Sequence, residues 1–97
     1  MTEQQAVQIA LSARPEFEVP SDFEPITAEK RIIEIVDGQP VRDELPEPGP
    51  VRDTVAWVVR LGLDVLWAEF AVEDTTGAVV RIRRSRGAAG AADQVRS

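Results

Sequence analysis

Apolar residues near the start of the chain recur at Ala6, Ile9, Ala10 and Ala13, the spacing of one face of a helix, and Val7 and Leu11 widen the stripe. Thr2, with Gln5 three residues later, has the form of a capping box, so an amphipathic helix is predicted over residues 3–13. Pro15 disfavours helical geometry at Arg14 and closes it. From Thr54 the pattern becomes alternating. Val55, Trp57, Val59 and Leu61 fall on one face and Ala56, Val58 and Arg60 on the other, until Gly62 and Asp64 mark a turn. Residues 65–84, VLWAEFAVEDTTGAVVRIRR, then read as a β-hairpin. Leu66, Ala68, Phe70 and Val72 share one face, and Trp67, Glu69, Ala71 and Glu73 the other. Asp74-Thr75-Thr76-Gly77 supplies the turn. On the return, Ala78, Val80 and Ile82 match the apolar face, and Arg81 and Arg83 the acidic one. Opposite charges facing across an antiparallel pair contribute roughly 0.2–1 kcal/mol each, so Glu69 and Glu73 against Arg81 and Arg83 help to set the register.

The stretch between helix and hairpin is less regular. Residues 16–29 contain Pro20 and Pro25 together with Phe17, Val19, Phe23 and Ile26, an extended or irregular linker whose apolar residues dock on the core. Lys30 to Val36, KRIIEIV, concentrates β-branched residues ahead of Asp37-Gly38 and predicts a first strand. A helix capped by Thr27 is the rival reading. Pro40, Pro46, Pro48 and Pro50 argue for a loop over residues 39–50, since proline cannot donate to a ladder. Pro-Val-Arg-Asp occurs at residues 40–43 and again at 50–53, too short to be a structural repeat; it reads as coincidence or a local duplication that lengthened the loop, in preference to a duplicated recognition element. The expected domain is therefore residues 1–84, with 16–53 irregular, Pro-rich and acidic, followed by a disordered tail over 85–97. The fold class is α+β: an N-terminal helix packed on a three- to four-stranded antiparallel sheet in two layers.

Composition narrows the function. A chain of 97 residues builds one core, and no apolar run approaches the roughly 20 residues of a membrane span. Residues 1–80 carry 16 acidic and 6 basic groups, whereas residues 81–97 carry 5 arginines and 1 aspartate. An acidic body repels phosphate backbones, so no nucleic-acid partner is expected, and a basic surface on a protein partner fits better. With no cysteine there is neither a disulfide framework nor a thiolate metal site. The first residues lack a signal-peptide pattern, so a cytoplasmic location is expected; extracytoplasmic if an export signal has been removed.

Histidine, cysteine and tyrosine are all absent, which removes the commonest general base, the thiolate nucleophile and the phenolic acid together. Lys30 with a serine lacks any nucleophile-elbow context. Paired carboxylates are unavoidable among 17 acidic residues and are better explained as solvated faces. No EF-hand spacing and no glycine-rich phosphate loop is present. The reading is of a non-enzyme with no cofactor and no metal. Arg81, Arg83, Arg84 and Arg86 form the basic cluster. They read either as a site for an anion or acidic peptide, or as two arginines paired to glutamates and two in a solvated tail. Trp57, among Val55, Val59 and Leu61, reads as core. Trp67 shares the charged face with Glu69 and Glu73, which makes it an interface anchor unless Phe17, Phe23 or the Pro-rich loop covers it. The candidate partner-binding residues are Trp67, Glu69, Arg81 and Arg83.

The helix beginning TEQQAVQIAL, the strand VAWVVRL and the closing hairpin WAEFAVEDTTGAVVRIRR resemble, in this order, the PepSY domain. The family's last hairpin likewise turns through an acidic residue, small polar residues and glycine before a V-x-R-like strand. The likeness covers residues 2–13 and 54–84. It implies a helix across an antiparallel sheet and a binding or inhibitory role, as in peptidase propeptides and membrane-associated proteins. Residues 16–53 are longer and richer in proline than that pattern. The expected function is a small protein-binding module, regulatory or inhibitory toward a peptidase. The alternative is an acidic inhibitor or immunity-type protein that masks a basic site through residues 16–53. Partner identity and oligomeric state stay open.

Overall fold

The computed structural model describes residues 1–36 and 50–85. The first Pro-Val-Arg-Asp copy, most of the Pro-rich loop and, apart from Ser85, the tail expected over 85–97, Arg86 included, lie outside them; Ser85 is held by hydrogen bonds to the Trp67 backbone. The chain forms helix α1 (Glu3–Ala13) and then strands β1 (Glu24–Val36), β2 (Val51–Leu63), β3 (Leu66–Glu73) and β4 (Val79–Arg84). The strands make one open antiparallel sheet in the order β1-β2-β3-β4. This is an α+β fold.

Both ends of α1 follow from local chemistry. Thr2 Oγ1 accepts from the Gln5 N–H at 3.2 Å, and Gln5 Oε1 accepts from the Thr2 N–H at 2.8 Å, which closes the capping box. At the other end Arg14 keeps helical angles (φ −50°, ψ −50°), contrary to the expectation from Pro15. The helix stops instead because proline has no N–H to continue the ladder. The Leu11 carbonyl is taken by the Arg14 N–H and by Arg14 Nε, while Arg14 Nη1 donates to the carbonyls of Ser21 and Phe23. One side chain thus fastens the connection to β1, and Glu18, at φ 59°, turns the chain back.

The first strand begins at Glu24 rather than Lys30, so residues 24–29 of the expected extended or irregular linker are extended and belong to β1, and the helical reading from Thr27 is overturned. Pro25 is tolerated because it sits near the start of an edge strand, where the register shifts between Pro25 and Thr27. Residues 51–53, expected within the irregular stretch over 16–53, likewise belong to β2. Since β3 pairs with β2 only from Ala56 onward, residues 32–36 and 51–55 form a two-stranded arm beyond the rest of the sheet. Leu63 pairs with Leu66 across a two-residue turn, with Asp64 at φ 57°. The Gly62 position has no room for a side chain: a Cβ there would lie 2.6 Å from both Ile26 Cδ1 and the Leu66 carbonyl oxygen.

The core lies between α1 and the helix-side face of the sheet. Ala6 and Ala10 of α1, Phe17, Val19 and Phe23 of the connection, and Val59, Leu61, Ala68, Phe70, Val72 and Ile82 of the sheet form one buried cluster. Phe17 meets Phe70 edge to face, with centroids 5.9 Å apart. Alanines on α1 let it approach closely while the phenylalanines fill the space beneath. The outer face has its own smaller cluster of Ile33, Ile35, Ala56, Val58, Ala71 and Val80. Val80 was expected on the helix side with Ile82. The register shifts between Ala71 and Val72, so that Val72 faces Val79 while Ala71 faces Arg81. This extra residue puts Val79 against the main core and Val80 on the opposite side.

Candidate protein-interaction surface

Trp67, Glu69, Arg81 and Arg83 share the outer face of the sheet, as their spacing predicted. Glu69 is directly opposite Arg83 on β4 and opposite Arg60 on β2. Its ion pair is made to Arg60: Nε donates to Glu69 Oε2 at 3.0 Å and Nη2 at 2.5 Å. The same guanidinium lies over the Trp67 ring, 4.2 Å from its centroid. Trp67 is half-buried for this reason. Phe17 and Phe23 do not cover it, because both belong to the core on the other side. The strand pairing explains why Arg60 falls there. A two-residue turn at Asp64-Val65 sets Arg60 against Glu69 and Gly62 against Trp67, so the arginine's long side chain reaches both.

The expected ladder of Glu69 and Glu73 against Arg81 and Arg83 is thereby corrected: Glu69 is bonded to Arg60 of β2, and Glu73 to Arg52 and Thr54 of β2 and to Thr76 of the turn. Glu73, at 5% exposure, faces Ala56. Its Oε2 accepts from Thr54 Oγ1 at 2.7 Å and Arg52 Nη1 at 2.9 Å, and its Oε1 accepts from Thr76 Oγ1 at 2.8 Å. The hydroxyls of Thr54 and Thr76 chiefly hold its carboxyl below the usual range; Arg52 adds to the effect and partial burial opposes it. Glu73 is thus a structural node at the base of the β3–β4 turn and not part of a surface ladder.

Arg81 and Arg83 are left without such partners. Neither guanidinium makes a hydrogen bond or an ion pair with a described residue. Arg83 is exposed, whereas Arg81 is half-buried. Desolvation lowers the pKa of Arg81, the like charges of Arg83 and Arg31 lower it further, and Glu69 partly offsets them. Glu69 acts on it only through space, since its carboxylate is already held by Arg60. The result is a cationic rim beside an amphipathic tryptophan.

The helix-side edge is organised differently. Trp57 is half-buried against the main core, and its Nε1 donates to Asp74 Oδ1 at 3.0 Å. Met1's amino group lies 3.1 Å from the same oxygen, and Lys30 Nζ lies 3.8 Å from Oδ2 and 5.8 Å from the Trp57 centroid. The amino group first, then Trp57, depress the Asp74 pKa. Val55, expected in the core beside Trp57, is 38% exposed because it lies on the arm, past the end of β3.

Shallow grooves flank α1, one of about 590 Å³ beside Ile9, Ala13 and Val79 and one of about 830 Å³ beside Met1, Gln5 and Asp74. Among the described residues no three metal-capable side chains converge, and no helix is long and apolar enough to cross a membrane. Compared with known proteins, the chain matches no family model, no curated protein and no solved structure. The class that fold and surface define is a small α+β module with an open, mixed-charge sheet face.

Proposed function

We propose that this protein is a non-catalytic binding module of PepSY-like type, a two-layer helix-on-sheet domain. Its outer sheet face receives an acidic segment of a protein partner. The observation that carries this reading is Arg81: a guanidinium partly withdrawn from water, on the same face as Trp67, with no carboxylate bonded to it among the described residues. A desolvated cation is costly until an anion meets it, so a partner carboxylate docking there restores what folding removed. Arg83 adds a second donor set at the rim, and Trp67, rigid and half-covered by Arg60, offers the amphipathic surface typical of interface anchors. Helix and closing hairpin occur in the order that the resemblance to PepSY implies.

The test is chemical-shift mapping of the isotope-labelled chain with two fluorescent peptides of equal length, one Glu/Asp-rich and one Lys-rich. The same peptides give affinities by anisotropy. The acidic peptide should shift Trp67 Nε1–H, Arg81 and Arg83, weaken with added salt, and lose about tenfold in affinity for Arg81→Gln. Shifts confined to other surfaces, or tighter binding of the Lys-rich peptide, would overturn the assignment. The second result would favour an acidic masking protein instead.

A further inference from the structure

Strand β1 is an edge of the sheet for thirteen residues, and among the described residues no strand pairs with its outward side. Such an edge presents free N–H and C=O groups to any complementary strand. Pro25 and the register shift beside it blunt the start of this edge, and Glu29, Lys30, Arg31 and Glu34 charge its middle, but an exposed apolar residue sits among those charges. Ile32 is 74% exposed, and its neighbour across β2, Val55, is 38% exposed; the two lie side by side on the helix-side face of the arm. Lys30 and Glu34 flank Ile32 on the same face, two residues before and two after it.

We propose that this edge is a self-association surface. Two copies of the chain pair antiparallel along β1, with Ile32 on the two-fold axis, so that the two sheets join into one. An isologous contact requires each residue to meet its own mirror in the register, which makes the charge pattern decisive. Centred on Ile32, the register sets Ile32 against Ile32 and Lys30 against Glu34 of the other copy, twice. Val55 of each copy then borders an apolar strip that crosses the axis. Neighbouring centres do not work. Those at Glu29, Lys30, Arg31 or Glu34 bring a charged residue onto its own copy, and that at Ile33 sets no opposite charges face to face. Lys30 can reach across, because its ion pair with Asp74 is long at 3.8 Å and its side chain is 51% exposed. This surface is independent of the Trp67 face, so either reading can fail without the other.

The test is sedimentation velocity of the full chain up to roughly 1 mM, with charge-reversal variants. The unaltered chain should dimerise in a concentration-dependent way. Lys30→Glu and Glu34→Lys should each weaken the dimer about tenfold or more, because each puts like charges opposite at two places, and the double reversal should restore it. All these side chains are exposed, so folding, followed by far-UV circular dichroism, should not change. The chain has no cysteine, so Ile32→Cys introduces a single thiol. With diamide as oxidant, that thiol should give a disulfide-linked dimer on a non-reducing gel, whereas Val65→Cys, at the far end of the sheet, should not. A chain that stays monomeric throughout, a dimer indifferent to the two single reversals, or equal cross-linking at both cysteines would each overturn the proposal.

Discussion

Replacing Glu73 by Gln probes a buried carboxylate that is bonded at both oxygens. The side chain is 6% exposed and its two oxygens accept from Thr54, Thr76 and Arg52. Glutamine keeps the volume and one acceptor oxygen, so one hydroxyl contact survives. What is lost is the charge-assisted character of the others, and an amide N–H₂ now faces a donor. A hydrogen bond to a charged group contributes about 1.5–3 kcal/mol. Arg52 is 43% exposed and can return to water, which discounts its share, so a loss of about 1–2 kcal/mol near neutral pH is expected. In a domain of this size that lowers Tm by roughly 4–16 °C. The sign of the pH dependence follows from the depressed folded pKa of Glu73. Its ionised form stabilises the fold fully above the unfolded carboxylate range, and that stabilisation is lost as pH falls through the lower folded value. The gap between the two proteins should therefore close in acid, where protonated Glu73 and glutamine become near equivalents. Urea unfolding followed by tryptophan fluorescence at several pH values measures it. A difference that is negligible at neutral pH, or that widens in acid, would refute the reasoning.

Other perturbations have different physical causes. Gly62→Ala should cost about 1–3 kcal/mol in urea unfolding, because one of the two atoms a methyl would strike is the backbone oxygen of Leu66, which cannot rotate away. Phe70→Ala, which removes a fully buried ring and its edge-to-face partner contact, should cost about 3–5 kcal/mol and expose the core to 1-anilinonaphthalene-8-sulfonate. Thr2→Ala should lose about 0.5–2 kcal/mol, measured by thermal circular dichroism, and Thr2→Ser should recover most of it. Arg60→Ala should raise the accessibility of Trp67 to acrylamide quenching and shift its emission to the red, since the guanidinium is what stacks on its ring.

The helix was legible in the sequence down to its ends, because a capping box, an apolar stripe and a proline are all local signals and α1 obeys them at Glu3 and Ala13. The two strands and turn of the β3–β4 hairpin were legible, since alternation and a glycine at positive φ, here Gly77 at 74°, belong to neighbouring residues, but its register beyond Ala71 was not. Arg60 as the partner of Glu69 was also within reach: the turn lies at Asp64-Val65 rather than at Gly62 and Asp64, and a two-residue turn there fixes the opposition. What local pattern did not contain was the length of β1. Residues 24–29 have no strand signal of their own strength and are extended because β2 offers them a ladder.

Sequence alone determined the periodicities, hence which residues can share a face, and it determined that histidine, cysteine and tyrosine are lacking. The tertiary structure decided who meets whom on those faces. A one-residue register shift in β4 sent Val80 to the outer face, and the competition for Glu69 and Glu73 was won by Arg52, Thr54 and Arg60 of β2 together with Thr76 of the turn. The physical reason is that a charged side chain pairs with whichever partner the backbone brings within about 3 Å at the right angle, and strand pairing, not spacing along the chain, sets that distance. Arg81 was left half-buried with no bonded carboxylate among the described residues by that competition, and it is the residue on which the proposed function rests.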